Sequence, residues 1–144
     1  MTSSNARSRS LSTNIYVKPP IEEKISRNTN SNGKEWEMFY KKDPAGYKTM
    51  LDGVQLKTLV WGERTLLCEF KIEKGKGLPS HTHPHEQTGY LISGRMRFTI
   101  GSETFEVEPG DSWSITGDVE HAAEALEDSK GVEVFSPVRE EYLP

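Results

Sequence analysis

From Trp36 onward the chain alternates between short β-prone runs and turns, and this alternation limits the possible folds more than any other feature. Turn sequences that contain glycine occur at residues 43–46, 52–53, 61–63 and 75–77. Between turns, apolar and polar residues alternate, so that Leu66, Cys68, Phe70 and Ile72 share one face of an extended run. Strands are predicted at residues 54–60, 65–72, 90–92, 95–100, 105–107, 113–115, 121–125 and 132–135. Many short strands about ten residues apart predict an all-β barrel or a double-sheet roll.

The N-terminal third of the chain differs in composition from the rest. Nine of the first fourteen residues are Ser, Thr or Asn, and such a segment buries too little apolar surface to offset its ordering entropy. We therefore expect a flexible arm over residues 1–45 and one folded domain over residues 46–144. Two other interpretations stay open: an organelle-targeting peptide, because Arg7 and Arg9 precede any acid, or a short strand at residues 15–17 that pairs with a partner subunit.

Composition excludes several functional classes. The 144 residues carry a net charge of −4, and acids and bases are interspersed, which argues against nucleic acid as a partner. Cys68 is the only cysteine, so an intrachain disulfide and a thiolate-rich zinc site are excluded. No apolar run approaches the roughly 18 residues of a membrane span. We expect a cytoplasmic protein that binds a small molecule.

Histidine is concentrated in one place. Three of the four histidines, His81, His83 and His85, fall within five residues, and the fourth is His121. Imidazole is the commonest neutral nitrogen ligand of transition metals. His81, His83 and Gln87 share one parity, so on an extended backbone they would point to one face, where a single ion could collect them. The stretch therefore predicts half of a metal site.

These residues fit two sequence motifs of one known family. Gly75, His81, His83 and Gly94 follow the pattern G-x5-H-x-H-x(3,4)-E-x6-G, with Gln87 in the place of the glutamate. The second motif, G-x5-P-x-G-x2-H-x3-N, is met at its first glycine and its histidine, while other residues replace its proline, second glycine and asparagine; in order, these five positions are Gly110, Thr116, Asp118, His121 and Ala125. The chain thus resembles the cupins, whose fold is a double-stranded β-helix or jelly-roll barrel.

The cupin resemblance implies one divalent metal ion held by His81, His83, Gln87 and His121. Three imidazoles and an amide are neutral ligands, so they leave the charge of the ion unbalanced and would favour an anionic or oxygen-rich substrate. This ligand set suits Zn, Ni, Fe, Co or Mn, and the sequence does not decide among them. His85 is expected beside the site or on the surface, since the ligand positions are already filled.

A narrower similarity runs through the C-terminal segment. It resembles the pectin-degradation cupins that act on 4,5-unsaturated monouronates, in which an Asp-x-Phe-x3-Arg segment faces the substrate. Glu133, Phe135 and Arg139 stand at those places. The resemblance implies that Glu133 moves a proton, Phe135 stacks on the sugar ring and Arg139 pairs with the uronate carboxylate. The glutamate in place of the aspartate is a departure, because one methylene moves the carboxylate by about 1 Å.

The sequence is consistent with three functions. We expect an enzyme that converts a cyclic unsaturated uronate, or a related sugar acid, to its open-chain keto form. An Fe(II) dioxygenase that acts on a small organic substrate is the first alternative, and a non-enzymatic ligand-binding or regulatory protein is the second. The third function would be favoured by direct pairing of Glu133 with Arg139. Edge strands and the N-terminal arm also predict a homodimer.

Overall fold

The described part of the chain consists almost entirely of β-strands. A computed structural model describes residues 27–33 and 35–144. The strands are β1 (Arg27–Thr29), β2 (Glu35–Glu37), β3 (Lys48–Leu51), β4 (Val54–Trp61), β5 (Leu66–Ile72), β6 (Gly77–His81), β7 (Glu86–Ser93), β8 (Met96–Ile100), β9 (Glu103–Val107), β10 (Ser112–Ile115), β11 (His121–Ala125) and β12 (Ser129–Ser136). A 3₁₀ turn follows at Glu140–Tyr142. The prediction of an all-β fold is confirmed.

The described residues form three antiparallel sheets. The larger sheet has six strands in the order β10-β7-β12-β5-β4-β3, and the smaller has four in the order β6-β11-β8-β9. Strands β1 and β2 form a separate pair within the predicted N-terminal arm. The predicted strand at residues 15–17 lies outside the described residues. In both larger sheets some neighbouring strands are distant in sequence, such as β7 with β12 and β6 with β11, which is the connectivity expected of a jelly roll.

Strand β6 was not predicted from the sequence. Its residues, GLPSH, include no β-branched side chain and contain Pro79. The strand lies at the edge of the four-stranded sheet, where a proline is tolerated because one side of the strand needs no backbone donor. Pairing with β11, rather than intrinsic propensity, therefore defines this strand.

The main hydrophobic core joins side chains of both large sheets. Trp113 of β10 packs against Phe98 of β8, with ring centroids 4.4 Å apart, and against Phe70 of β5 at 6.3 Å. This core is one buried cluster of apolar residues: Val54, Phe70, Ile72, Leu91, Met96, Phe98, Val107, Trp113, Ile115, Ala123 and Ala125. Phe98 and Met96 alternate with outward residues as their sequence parity predicts.

A second cluster attaches the C-terminal segment to the barrel. Leu56, Leu66, Cys68 and Phe135 are buried together, and the partly buried side chains that pack on them are Trp61, Val138, Tyr142 and Leu143. Burial raises the pKa of the Cys68 thiol to about 12, so this residue is a packing group rather than a nucleophile. The cluster fixes where residues 138–143 lie, and it thereby brings Arg139 to one end of the barrel.

The two faces of β7 differ in burial. Tyr90 is 47 % exposed on the outer face of β7. Leu91 points inward instead and is fully buried. Counting parity from Gln87, which is also buried, would have predicted this orientation, because successive side chains of a strand point to opposite faces.

Candidate metal centre

Strand pairing brings together two histidines that are distant in sequence. His81 is the last residue of β6 and His121 is the first residue of β11. The two strands pair antiparallel, and His121 lies directly opposite His81. Directly opposed residues of an antiparallel pair have Cβ atoms about 4.5–5.5 Å apart, so their side chains can meet. The imidazole centroids of His81 and His121 are 4.3 Å apart.

The third histidine is positioned by contact between two loops. His83 lies in the loop between β6 and β7, and its carbonyl oxygen accepts a hydrogen bond of 2.8 Å from the backbone N–H of Asp118. Asp118 has a φ of 66°, the left-handed conformation, at the place where the second cupin motif has glycine. Aspartate tolerates this conformation better than most residues. The motif departure therefore leaves the backbone geometry of the loop in place.

Gly117 allows the close approach of these two loops. A Cβ atom at this position would collide with the carbonyl oxygen of Pro84.

We expect Gly117→Ala to lower the free energy of unfolding by about 1–3 kcal/mol, because the two loops must separate. Gly62→Ala is the matched control, since a Cβ atom there would meet nothing within 4 Å. Urea denaturation of both variants measures the difference, and equal stabilities would contradict the expectation.

The three histidines form a compact cluster with their nitrogens available. One ligand nitrogen from each of His81, His83 and His121 lies within 4.8 Å of those of the other two. Each Nδ1 atom is hydrogen-bonded to a backbone carbonyl: to Pro79 at 2.8 Å for His81, to His85 at 3.0 Å for His83, and to Val119 at 2.8 Å for His121. A neutral imidazole that donates through Nδ1 presents a lone pair at Nε2, which is the arrangement found in metal-binding histidines.

An unpartnered buried atom supports a cation at this cluster. Nε2 of His121 is buried and has no hydrogen-bond partner among residues 27–33 and 35–144. A buried nitrogen without a partner costs free energy, and a bound ion would remove that cost. Burial lowers the pKa of both His83 and His121, and the positive charge of Arg139 acts in the same direction. Low pKa values keep the imidazoles neutral and able to bind a divalent ion.

Gln87 and Glu133 extend the cluster into the six-stranded sheet. Oε1 of Gln87 lies 2.9 Å from Nε2 of His83, and Nε2 of Gln87 donates to Oε1 of Glu133 at 2.6 Å. Burial raises the pKa of Glu133 to about 7, and the hydrogen bond from Gln87 is the largest opposing influence. The sequence suggested an ion of unbalanced charge, but the fold places a carboxylate one hydrogen bond behind Gln87.

The three residues taken from the C-terminal similarity lie close to the cluster but have different environments. Glu133 and Arg139 line a cavity of about 50 Å³ together with His81, Gln87 and His121. Phe135 is 2 % exposed and packs edge-on against His83, with ring centroids 5.9 Å apart. Arg139 pairs with Glu141 through a contact of 2.6 Å rather than with Glu133.

Tyr142 is a cavity-lining residue that the sequence did not single out. Its ring lies 4.1 Å from the guanidinium carbon of Arg139 and packs edge-on against Phe135 at 5.5 Å. The only signal in the sequence was an aromatic residue three positions after Arg139, in a segment without recognisable periodicity.

His85 does not belong to the group of three histidines that could hold a metal ion among the described residues. Its ring lies 5.8 Å from that of His83.

Sequence comparison assigns the region that contains these residues to a family. The family described as "Cupin domain" matches residues 68–136, which include all four histidines, Gln87 and Glu133. Residues 68–136 form a cupin domain. Among curated protein sequences, none matches this chain significantly. Within the described part of this chain, no helix is long and apolar enough to cross a bilayer.

Several solved structures superimpose on this chain. KdgF from Halomonas sp. is 28 % identical, with a TM-score of 0.66 over 69 % of this chain and 92 % of that one. An RmlC-like cupin from Shewanella frigidimarina is 21 % identical, with a TM-score of 0.71 over 75 % of this chain and 97 % of that one. A salicylate 1,2-dioxygenase variant from Pseudoaminobacter salicylatoxidans is 16 % identical, with a TM-score of 0.57 over 62 % of this chain and 27 % of that one. The last two similarities concern the fold alone.

Proposed function

We propose that this cupin is a metal-dependent enzyme that converts cyclic 4,5-unsaturated uronates, or a closely related sugar acid, to the open-chain keto form. The observation that carries the proposal is a single cavity that presents three kinds of group: the imidazoles of His81 and His121, the carboxylate of Glu133 and the guanidinium of Arg139. The oxygens of a sugar acid suit a metal ion held by the imidazoles, and its carboxylate suits the guanidinium of Arg139. The carboxylate of Glu133 can take up and release the proton that is transferred. The resemblance of the C-terminal segment to the pectin-degradation cupins and the 28 % identity to KdgF support the proposal.

In this proposal the chain's own residues bind the substrate and move one proton. Arg139 holds the uronate carboxylate through paired N–H donors. Glu133 transfers the proton to carbon 4 as the ring-opened enol becomes a ketone, so the reaction is an isomerisation that needs no oxidant. A divalent ion bound by His81, His83, His121 and Gln87 supplies Lewis-acid stabilisation of negative charge on substrate oxygens.

The aromatic contact with the sugar is reassigned within the proposal. Stacking was predicted for Phe135, which is 2 % exposed and packs beneath His83. Tyr142 lines the cavity, and we therefore give it the stacking role. The cavity of about 50 Å³ is smaller than the roughly 300 Å³ of small-molecule sites, so in this proposal the cavity widens when the sugar acid binds.

Turnover of an unsaturated uronate prepared with a pectate or alginate lyase tests the proposal directly. The metal-loaded protein should remove the conjugated chromophore of this substrate. Arg139→Leu should lower kcat/KM by roughly 10- to 150-fold, because charge-assisted hydrogen bonds contribute about 1.5–3 kcal/mol. Arg64→Leu is the matched control, because Arg64 is exposed in the turn between β4 and β5. Persistence of the chromophore with the metal-loaded wild type would refute the proposed reaction.

The two alternative functions make different predictions. A dioxygenase would consume oxygen with another substrate while the uronate chromophore persists, and a pocket that is aromatic and less cationic would favour it. Here the pocket contains Arg139 and Glu133. A binding protein was expected to pair Glu133 with Arg139, but Glu133 accepts from Gln87 and Arg139 pairs with Glu141. Both observations support the sugar-acid enzyme.

The homodimer stays a prediction. Tyr90 and Ile92 are adjacent on the outer face of β7 and are 47 % and 44 % exposed, which makes this face suitable for a second copy. Sedimentation equilibrium should give the mass of two chains of 16.3 kDa each. A mass of one chain at micromolar concentration would contradict the prediction.

A further inference from the structure

We propose that Glu133 is a positioning residue for the metal site, and that its carboxylate holds the Gln87 amide with Oε1 facing the histidines. The inference deepens the proposed function, and it rests on that proposal only for the presence of a bound metal ion. Glu133 would then act on the ion through Gln87, in addition to any contact that it makes with the substrate.

Burial and distance make this contact specific. Gln87 is 6 % exposed and Glu133 is 7 % exposed, and their hydrogen bond of 2.6 Å has no competition from bulk water. Gln87 and Glu133 lie on adjacent strands β7 and β12, where Phe135 is opposite Gln87 and Gly89 is opposite Glu133. Gly89 leaves room for the Trp113 ring, which a Cβ atom there would contact. The sheet therefore directs both side chains to the same face.

The hydrogen bonds of His83 and Glu133 restrict the orientation of the Gln87 amide. If His83 donates through Nδ1 to the His85 carbonyl, its Nε2 is an acceptor. With Nε2 of Gln87 donating to Glu133, the amide oxygen lies 2.9 Å from that imidazole nitrogen, so two acceptors face each other. Turning the amide over would instead place its oxygen against the carboxylate, again pairing two acceptors. The structure has the orientation in which Nε2 of Gln87 donates to Glu133, and in that orientation one cation beside the histidines would satisfy both the amide oxygen and the imidazole nitrogen.

Arg139 does not compete with Gln87 for the Glu133 carboxylate. Arg139 lines the same cavity but its Nε atom pairs with Glu141, so the structure records no ion pair between Arg139 and Glu133 within the described residues. A carboxylate that accepts from an amide N–H increases the electron density on the amide oxygen and makes it a stronger ligand. Groups that orient metal ligands in this way typically change metal affinity by about 10- to 100-fold when they are replaced.

A double-mutant cycle on Co²⁺ affinity tests the inference without an activity assay. Glu133→Met removes the acceptor at similar volume, and Gln87→Met removes the amide. We expect each substitution to raise the Kd for Co²⁺ by about 10- to 100-fold. The Kd of the double variant for Co²⁺ should be no higher than that of the single variant with the higher Kd, because Glu133 acts through Gln87. Glu133→Gln keeps an acceptor oxygen and should lose less affinity than Glu133→Met.

Glu63→Met is the matched control, because it makes the same replacement at an exposed residue in the turn between β4 and β5 that does not line the cavity, and its Kd should stay close to that of the wild type. Thermal melting of the metal-free variants checks that each is folded. A wild-type Kd in Glu133→Met, losses that multiply in the double variant, or a wild-type protein that does not bind Co²⁺ would each overturn the inference. Failure of the wild type to act on the uronate would refute the proposed reaction but leave the affinity cycle unaffected.

Discussion

His121→Ala is expected to abolish retention of a divalent metal ion, whereas His85→Ala is expected to retain it. His121 supplies one of three nitrogens that lie within 4.8 Å of one another, and its Nε2 atom is buried without a partner among the described residues. Removal of this ring leaves two histidines and an amide. A divalent ion bound by fewer ligands dissociates during desalting, because each ligand contributes to a folded, preformed site.

The measurement is the metal content per chain after loading with Zn²⁺ or Co²⁺ and removal of free ions. Wild type and His85→Ala should each hold one ion, while His121→Ala should hold none. His85 is a demanding control, since it lies near His83 and also has a buried nitrogen without a partner in the described region. Equal losses in both variants would show that the ligands are assigned incorrectly.

Phe135→Ala is expected to lower the free energy of unfolding by about 3–5 kcal/mol, the cost typical of removing a buried phenylalanine. Phe135 is 2 % exposed and lies in the cluster that attaches the C-terminal segment. Its ring contacts both His83 and Tyr142. Since small domains are stable by only about 5–15 kcal/mol, the loss would be a large part of the total. It should also loosen the segment that carries Arg139.

Phe105→Ala controls for the residue type, because Phe105 is 43 % exposed on β9. We expect this control to change stability by no more than about 0.5 kcal/mol, as exposed substitutions usually do. Guanidinium denaturation of the metal-free proteins followed by tryptophan fluorescence gives both values. A loss at Phe135 no larger than that at Phe105 would mean that the second hydrophobic cluster contributes little to the fold.

Alternation and turn chemistry predicted most of the strands because both are local properties. The predicted runs at 65–72, 95–100 and 121–125 correspond to β5, β8 and β11. The Gly101-Ser102 turn joins β8 to β9 as a two-residue hairpin, with Ile100 opposite Glu103 and a φ of 59° at Gly101. Strand β6 could not be predicted in this way, because its pairing with β11 stabilises a sequence that has little β-propensity of its own.

In the candidate site, too, local features could be predicted from the sequence, whereas contacts between distant strands could not. The spacing of His81, His83 and Gln87 is a short-range pattern, and the later His121 could be added through the resemblance to the cupin motifs. The contact between Gln87 and Glu133 joins residues 46 positions apart. It depends on which strands are neighbours and on their register, and neither quantity is encoded in a local stretch of sequence. Tyr142 lies in the cavity for a similar reason, since packing places its segment there.

The sequence by itself determined that the chain forms short strands, that Cys68, Phe70 and Ile72 face inward, and that its histidines are concentrated as metal ligands are. These properties follow from side-chain chemistry and from the two-residue period of an extended backbone. The tertiary structure alone decided that His121 lies opposite His81, that Glu133 accepts a hydrogen bond from Gln87, and that Arg139 and Tyr142 line the cavity. Those contacts arise from antiparallel pairing between distant segments, which is fixed only when both sheets bury their shared core.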